Sequence, residues 1–554
     1  MTRRPDRRIA AAVFGASLLV LAAASRTQGN VRDEGYYFSA AERYVGWYGE
    51  LGDDLRAGRP GRSFSRAAVD RSFGYNHEHP ALMKTLFGAS WRILHRCLCP
   101  AQGGRHPFAY ARPHRTLGLL SEEAAMRLPT HAMVAAMASL VYLLGAVWSR
   151  GAGLVAAVLS VMAPRFFFDA QLATLDAPIA ALWVATVYAY WRALSDPRWG
   201  WRAGALFGLA LATKHNAFFI PVVLLAHFAW IAWRGRRLPA AAVFLWMATL
   251  GPLVYLATWP WLWFDAGARF REYVAFHLHH APYNMEYLGR NYNSPPFPLS
   301  FPYVMSALTL PVTTLALALG GAIAMLRARR GETHEGGASP GNGLGLLVGL
   351  NAVFPMAILT LSRAPIFGAT KHWHASVPFV ALLAGYGWHA LTAALPARRG
   401  VAVALGIAAC APAAAETWRA HPYGLTHYNL LAGGPPGGAD LGLNRQFWGY
   451  STRGVLSWLD RNAPPRTAVY WHDTNQPQLD MDVRQGYLRD DLRNAGLGEP
   501  GVRASGIALV IHERHFNRDE YRIWDSYGTA RPSLVLQDEG VPIVSVYERP
   551  RPEP

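Results

Sequence analysis

Long, nearly continuous apolar blocks recur along this chain of 554 residues and constrain its fold more than any other feature. A membrane helix needs about 20 apolar residues, and blocks of this kind lack the periodicity of a soluble helix or strand. We mark eleven of them, at 8–25, 128–148, 151–164, 176–194, 203–213, 215–233, 239–258, 302–326, 344–362, 374–395 and 400–414. The pattern predicts a polytopic α-helical membrane protein with about eleven transmembrane helices.

The composition agrees with this class. Only 16% of the residues are charged, against roughly 25% in a soluble protein. The formal net charge of +17 fits arginine-rich cytoplasmic loops and contacts with anionic lipid or phosphate. No nucleic-acid motif is present, so we expect no nucleic-acid partner. Three cysteines cannot build a disulfide framework.

The short loops between the blocks predict the orientation. With the basic start TRRPDRR in the cytoplasm, alternate loops such as RGRR and PARRG fall on the same side and carry excess arginine, as the positive-inside rule requires. The opposite side receives the long segments 26–127 and 259–301 and the tail from 415. The first block could be a signal peptide or a first helix. We favour the helix, because the residues that follow it work best when tethered to the membrane.

The tail has a different character from the rest of the chain. It is polar, with a short helix expected at GVLSWLDRNAP and strands at TAVYW, IALVIHE and VPIVSVYE. We therefore predict two domains, a transmembrane domain over 1–414, which includes the first outer loop, and an extracytoplasmic α/β domain over 415–554.

Unusual charged and imidazole side chains collect near helix ends on the predicted outer side. Such groups are costly at a membrane unless they are paired or used. Each also has a structural interpretation: a carboxylate can solvate a helix end, an acid before a proline is a helix-start signal, and a lysine can snorkel to the interface. The candidates are Asp33, Glu34, His79, Lys84, Arg165, Asp169, Asp176, Arg363, Lys371 and His372.

The order of these motifs resembles a known family. DEGYYF followed by HPALMK is similar to the first outer loop of GT-C glycosyltransferases of the protein O-mannosyltransferase and lipid A aminoarabinose-transferase type (family 39-like), although Ala81 replaces a second proline. PRFFFDAQLATLDAP resembles a later acidic turn, and KHWHASVPFVALLAGYG a late basic helix start. The segment 421–451 resembles one found after the last membrane helix in bacterial members. The resemblance covers nearly the whole chain and implies a GT-C-like fold.

It also implies a chemistry. Family members transfer a sugar from a polyprenyl-phosphate carrier to an acceptor on the outer face, and a single displacement inverts the anomeric centre. The acceptor hydroxyl must lose a proton, which a carboxylate can take. Asp33 is the first choice for this base, Glu34 is its rival, and Asp176 could orient the acceptor or the base.

The leaving group is a phosphate and needs positive charge rather than a general acid. The candidates for binding it are Lys84, Arg165, Lys371 and His372, with His79, Asp169 and Arg363 as further site residues. We expect no cofactor. A divalent metal is possible at the weak motif His77–Glu78–His79, but we do not favour it, because the basic residues could neutralise the phosphate.

Abundant Ala, Arg and Gly indicate a GC-rich bacterial genome. We therefore expect an undecaprenyl-type carrier in the bacterial inner membrane, with the active site and the C-terminus facing the periplasm. The sugar is open, and so is the acceptor, which could be a protein, lipid A or another glycan. Rival interpretations are a transporter or flippase, a polymerase or ligase of lipid-linked glycans, and a scaffold. Only an enzyme requires a specific carboxylate.

Overall fold

The computed structural model describes residues 4–95, 117–234, 241–280, 284–331, 341–361, 366, 368–395, 399–513 and 517–550. Its first part is helical, and every block that the sequence marks as apolar overlaps a helix. The helices before residue 200 are α1 (Arg4–Ala24), α2 (Arg32–Arg56), α3 (Arg66–Phe73), α4 (Leu82–Leu94), α5 (Glu122–Gly145), α6 (Arg150–Val161), α7 (Pro164–Ala170) and α8 (Asp176–Ala193). The next are α9 (Gly200–Leu211), α10 (Ile220–Trp233), α11 (Ala242–Thr258), α12 (Ala266–Leu278), α13 (Phe301–Thr309), α14 (Val312–Gly331), α15 (Gly341–Leu361), α16 (Val377–Ala394) and α17 (Arg399–Ala420). A small hairpin of β1 (Met285–Tyr287) and β2 (Arg290–Tyr292) precedes α13.

Length and hydropathy single out the helices that can cross a membrane. Within the described residues, six pass the test alone, and two bent pairs raise the number to eight. The bends are 72° between α6 and α7 and 119° between α13 and α14. The prediction of a multi-pass helical membrane protein is confirmed. The count of eleven crossings stays a prediction.

Small residues allow the central helices to approach closely. A Cβ at Gly321 of α14 would lie 2.0 Å from the carbonyl oxygen of Leu383, and one at Gly387 of α16 would lie 2.0 Å from that of Leu317. In a membrane, where lipid is as apolar as leucine, such close backbone contact is a main source of helix association. The contact fixes α16 and, with it, the 3₁₀ turn Ala369–Ser376 that immediately precedes α16.

The tail is an α/β unit. Its elements are α18 (Gly434–Asp440), α19 (Arg453–Asn462), β3 (Ala468–Trp471), α20 (Gln476–Arg484), β4 (Arg493–Asn494), α21 (Gly498–Ala504), β5 (Ile507–Ile511), α22 (Asn517–Tyr527), β6 (Leu534–Asp538) and β7 (Val541–Glu548). The sheet has the order β4-β3-β5-β7-β6, with β3 parallel to β4 and β5, and β7 antiparallel to β5 and β6. The predicted helix and three strands are confirmed.

The central strand β5 is buried along its whole length. Ile507 and Leu509 join one apolar cluster, and Ala508 and Val510 join another. Side chains alternate between the faces of a strand, so a strand covered on both faces has a continuous apolar sequence such as IALVI.

The predicted domain boundary at 414/415 falls inside α17, and the division into two domains stays a prediction.

The tail contacts the start of α2 directly. Arg32 pairs with Asp473. The amide of Asn475 donates to the Arg32 carbonyl at 2.8 Å, and the amide of Gln478 donates to the Asn30 carbonyl at 2.7 Å. The polar tail therefore holds the first turn of α2, where the adjacent acids of the DEGYYF motif lie.

Candidate active site

Asp33 lies in the first turn of α2 and meets two groups that are distant in sequence. The indole nitrogen of Trp448 donates to Asp33 Oδ2 at 3.0 Å. The ammonium of Lys371 is 4.0 Å from the same oxygen and 3.8 Å from the centre of the Trp448 ring. The side chain of Lys371 is 6% exposed and that of Asp33 is 28% exposed. A carboxylate that solvent can reach therefore lies beside a buried cation.

Glu34 points the other way and is completely buried. Its two oxygens accept from Nε and Nη2 of Arg127, each at 2.7 Å, and one of them also accepts the backbone N–H of Ala173 at 2.8 Å. Arg127 in turn binds Glu123 at 2.6 Å. A buried carboxylate with this many donors holds α2, α5 and the turn before α8 together.

Asp176 begins α8 and forms a buried ion pair with Lys214. Lys371 and His372 add positive charge near this carboxylate, and Lys371 interacts electrostatically with both Asp33 and Asp176. The amide of Asn216 donates to the His372 carbonyl at 3.2 Å. The fold thus brings four of the predicted residues, Asp33, Asp176, Lys371 and His372, to one place.

Arg165 and Asp169 lie on α7, next to this cluster. Asp169 accepts from Thr174 at 2.8 Å and contacts His374 Nδ1 at 3.1 Å. Arg165 donates from Nε to the His427 carbonyl at 3.2 Å. Its Nη1 and Nη2 are buried and have no partner within hydrogen-bond geometry among the described residues, and its guanidinium lies over the Tyr428 ring, 4.6 Å from the ring centre.

Arg165 and His374 line a cavity of about 180 Å³ between α7, α13 and α16. The other walls are largely apolar and include Phe166, Leu310 and Met356. A largely apolar cavity with a cation in its lining matches an anionic group that is attached to a hydrocarbon chain.

Lys84 is buried and its ammonium is occupied. It donates to the carbonyl of Asn76 at 2.5 Å, to the side-chain oxygen of Asn76 at 3.0 Å and to the carbonyl of His79 at 2.8 Å. Burial lowers the pKa of Lys84 to about 7. Burial, and then the charge of Lys84, hold the pKa of His79 well below its usual value. In this arrangement Lys84 braces the loop before α4, and its predicted role at a phosphate stays a prediction.

The other predicted positions are Arg363 and the possible metal motif His77–Glu78–His79. Arg363 lies outside the described residues. His77 contacts Glu272 at 3.0 Å, away from His79. Over the described ranges, no group of three His, Cys, Asp or Glu side chains is arranged to hold a metal ion.

Sequence reasoning missed two contributors, Trp448 and Arg127. Trp448 lies within the segment 421–451, but nothing in that segment distinguishes it from other aromatic residues. Arg127 directly precedes an apolar block, which is a usable signal for a buried ion pair.

A second unused signal is the scarcity of lysine. The chain has 53 basic Lys and Arg residues, of which only three are lysines. All three, Lys84, Lys214 and Lys371, are buried, with exposures of 0%, 8% and 6%. Arg and Lys differ in shape and in how easily they change charge. Three buried lysines in an arginine-rich chain are therefore a signal that points to candidate site positions.

A family model matches part of the chain. Residues 64–277 match the family model of the dolichyl-phosphate-mannose-protein mannosyltransferases. No curated protein matches the sequence.

Solved structures with a similar course of the chain include ArnT from Cupriavidus metallidurans, bound to undecaprenyl phosphate and in the apo state. Each is 14% identical, with 97% of both chains covered and TM-scores of 0.48 and 0.49. The Archaeoglobus fulgidus oligosaccharyltransferase, in complex with zinc and sulfate, is 11% identical. There 81% of this chain and 55% of that chain are covered, with a TM-score of 0.42.

The family match covers α3, α4 and the helices from α5 to α12. The matched residues include HPALMK and the acidic turn PRFFFDAQLATLDAP, two of the motifs on which the resemblance was based. The sequence resemblance to protein O-mannosyltransferases is thus confirmed over residues 64–277, which match the dolichyl-phosphate-mannose-protein mannosyltransferase family.

Proposed function

We propose that this membrane protein is a glycosyltransferase that moves a sugar from a polyprenyl-phosphate carrier to an acceptor hydroxyl, with Asp33 as the general base. The observation that carries the proposal is the pairing of a solvent-accessible Asp33 carboxylate with the buried Lys371 ammonium, 4.0 Å apart. A base and an anion-stabilising cation in one place are what a displacement at a sugar phosphate requires. The family match to residues 64–277 supports the same reaction class.

The proposed step is one displacement. Asp33 takes the proton of the acceptor hydroxyl as its oxygen attacks the anomeric carbon from the face opposite the phosphate. The new C–O bond forms while the bond from the anomeric carbon to the phosphate oxygen breaks, and that oxygen keeps the electron pair. The products are an inverted glycoside and the free polyprenyl phosphate, with the proton on Asp33. Asp176, held by Lys214, orients the acceptor.

Of the two neighbouring acids, Asp33 is better suited to be the base. Glu34 is buried and occupied by Arg127, so it has no oxygen to offer a substrate without breaking that ion pair. Asp33 is anchored through Oδ2 and keeps partial exposure. We therefore propose a structural role for Glu34.

The donor's phosphate is assigned to the cations at the site. Lys371 and His372 face the developing charge, and Arg165, which lines the largely apolar cavity, adds a third cation. The cavity would accept the first part of the lipid chain. Lys84 acts through the loop that it braces, and neutralisation by side chains needs no metal. Insensitivity of the transfer to a chelator tests that last point.

The proposed setting is the bacterial inner membrane, with eleven crossings and with the site and the C-terminal unit, residues 415–554, facing the periplasm. The carrier would then be undecaprenyl phosphate. The acceptor is a protein, lipid A or another glycan. Accessibility of single cysteines introduced at exposed positions of the tail, probed in intact cells with a membrane-impermeant maleimide, tests this orientation.

The decisive experiment compares purified wild type with Asp33→Asn, Asp176→Asn and Asp53→Asn, each incubated with a panel of radiolabelled polyprenyl-phosphate sugars and a membrane extract as acceptor. Asp53 lies on the same helix and is half exposed, which makes it a matched control. We expect label transfer to fall about 100- to 10,000-fold in Asp33→Asn, with donor binding intact, and to be unchanged in Asp53→Asn. Equal transfer by Asp33→Asn and wild type would reject the assignment of the base.

A further inference from the structure

The tail places Trp448 in contact with both Asp33 and Lys371 of the proposed site. Trp448 is 2% exposed and has a left-handed backbone, with φ of +78°. Gly449, which follows it, has φ of +72°, and a Cβ there would lie 2.4 Å from the carbonyl oxygen of Asp473. A tryptophan in this region of φ is uncommon and persists only when its surroundings hold it there.

The surroundings of Trp448 are the first turn of α2. Its carbonyl accepts the backbone N–H of Arg32 at 2.9 Å. Its indole N–H donates to Asp33 Oδ2 at 3.0 Å. The same residue is therefore tied to the helix by its backbone and to the carboxylate by its side chain.

The ring of Trp448 has a second contact. The ammonium of Lys371 lies 3.8 Å from its centre, which is a cation–π geometry for a buried cation. Lys371 is at the same time 4.0 Å from Asp33 Oδ2, longer than a direct hydrogen bond. The indole thus holds the cation near the carboxylate without letting the two close into a tight ion pair.

We propose that Trp448 is a positioning residue for the transfer: its indole N–H fixes Asp33 through Oδ2, and its ring holds Lys371 at a distance, so that Oδ1 is presented to the acceptor. This inference rests on the proposed function, because it needs Asp33 to be the base. It makes the C-terminal unit part of the site, since Trp448 follows the last long helix.

The variant that isolates the N–H replaces Trp448 by 3-benzothienylalanine, in which sulfur takes the place of the indole nitrogen and the ring keeps its shape. The companion variant Trp448→Phe keeps an aromatic face. Trp458→Phe is the matched control, because Trp458 packs against the tail's own core and not against Asp33.

We expect kcat for transfer to fall about 10-fold with benzothienylalanine, the effect of about one lost hydrogen bond to a charged group. It should fall further with Trp448→Phe, whose smaller ring also loosens Lys371. The KM for the donor and the melting temperature should stay at wild-type values in the benzothienylalanine protein. A residue that only holds the fold would lower the melting temperature instead. The control should match wild type in kcat and in the KM for the donor, although the packing lost at Trp458 lowers its melting temperature.

Parallel measurements on Asp33→Asn separate this inference from the proposed function. Full turnover by Asp33→Asn would reject the base, and the role of Trp448 with it. An inactive Asp33→Asn beside a benzothienylalanine protein with wild-type kcat would overturn the positioning role and leave the base in place. A benzothienylalanine protein that loses melting temperature and kcat together would also overturn it, in favour of a structural role.

Discussion

Two adjacent carboxylates at the start of α2 have opposite surroundings. Glu34 is completely buried and bound by Arg127 and by the backbone N–H of Ala173. Asp33 is partly exposed and is anchored through one oxygen, with Lys371 4.0 Å away. One residue along a helix turns the side chain by about 100°. Glu34 therefore points towards Arg127 of α5, whereas Asp33 points towards Trp448 of the tail.

The difference shows how the motif DEGYYF can hold one acid that stabilises the fold and another that stays accessible to a substrate. A buried carboxylate is tolerated only when donors satisfy it, and those donors leave it no capacity for a substrate. A carboxylate that is to accept a proton must keep an oxygen available and still be held in place. Glu34 meets the first requirement and Asp33 meets the second, and the predictions below separate the two.

The largest effect is expected at the buried pair. Arg127→Gln leaves Glu34 and Glu123 as buried carboxylates without their cation, which costs about 3–5 kcal/mol of folding free energy. We expect a large drop in the melting temperature of the purified protein, whereas Arg56→Gln, at an exposed position on α2, should melt like wild type. An Arg127→Gln protein that melts with wild type would show that the network contributes little.

The next effect concerns the cation beside Asp33. Lys371→Gln removes the charge that would stabilise the leaving phosphate, and we expect kcat to fall about 100- to 1,000-fold. Lys371→Arg keeps the charge but brings a larger planar group against Trp448, so it should restore only part of the rate. The measurement is single-turnover transfer of labelled sugar. Full activity of the glutamine variant would place the phosphate elsewhere.

Sequence reasoning predicted the helices and strands better than it predicted which side chains contact each other. Apolar blocks predicted the positions of helices, and alternation predicted the strands of the tail, because both patterns are local. The separation of Asp33 from Glu34 depends on Trp448, 415 residues away, and on Arg127, 93 residues away from Glu34. No local pattern encodes such contacts. The sequence therefore left the two acids as rivals.

The role of Lys84 illustrates the same limit. A lysine at the end of HPALMK suggests a free cation near a phosphate, but whether its ammonium is available depends on the loop that precedes it. In the fold, the carbonyls of Asn76 and His79 occupy that ammonium. The availability of the Lys84 ammonium is therefore decided by the path of the backbone in this loop.

A smaller effect is expected at the turn that carries Trp448. Gly449→Ala forces a Cβ to within 2.4 Å of a backbone oxygen at a positive φ, a strain of about 1–3 kcal/mol. Gly486→Ala is the control, since Gly486 has φ of +76° and no heavy atom within 4 Å of the added Cβ. We expect Gly449→Ala to lower both the melting temperature and kcat more than Gly486→Ala does. Equal effects would mean that the backbone angle alone, rather than the contact with Asp473, matters at this turn.

The smallest effect extends the comparison to the carboxylate of Asp482, which accepts from Asn30 at 2.9 Å where the tail meets α2. Burial raises the pKa of Asp482 to about 7, although Arg453 opposes the shift. A carboxyl group whose pKa is higher in the folded than in the unfolded protein stabilises the fold fully below its unfolded value, and this contribution is lost as the pH rises through 7. Asp482→Asn should therefore melt a few degrees above wild type at about pH 8, and the gain should shrink or vanish at about pH 5. Asp480→Asn, on the same helix, is the control for the chemical change from carboxylate to amide. An Asp482→Asn gain of the same size at both pH values would show that the gain does not come from the titration of Asp482.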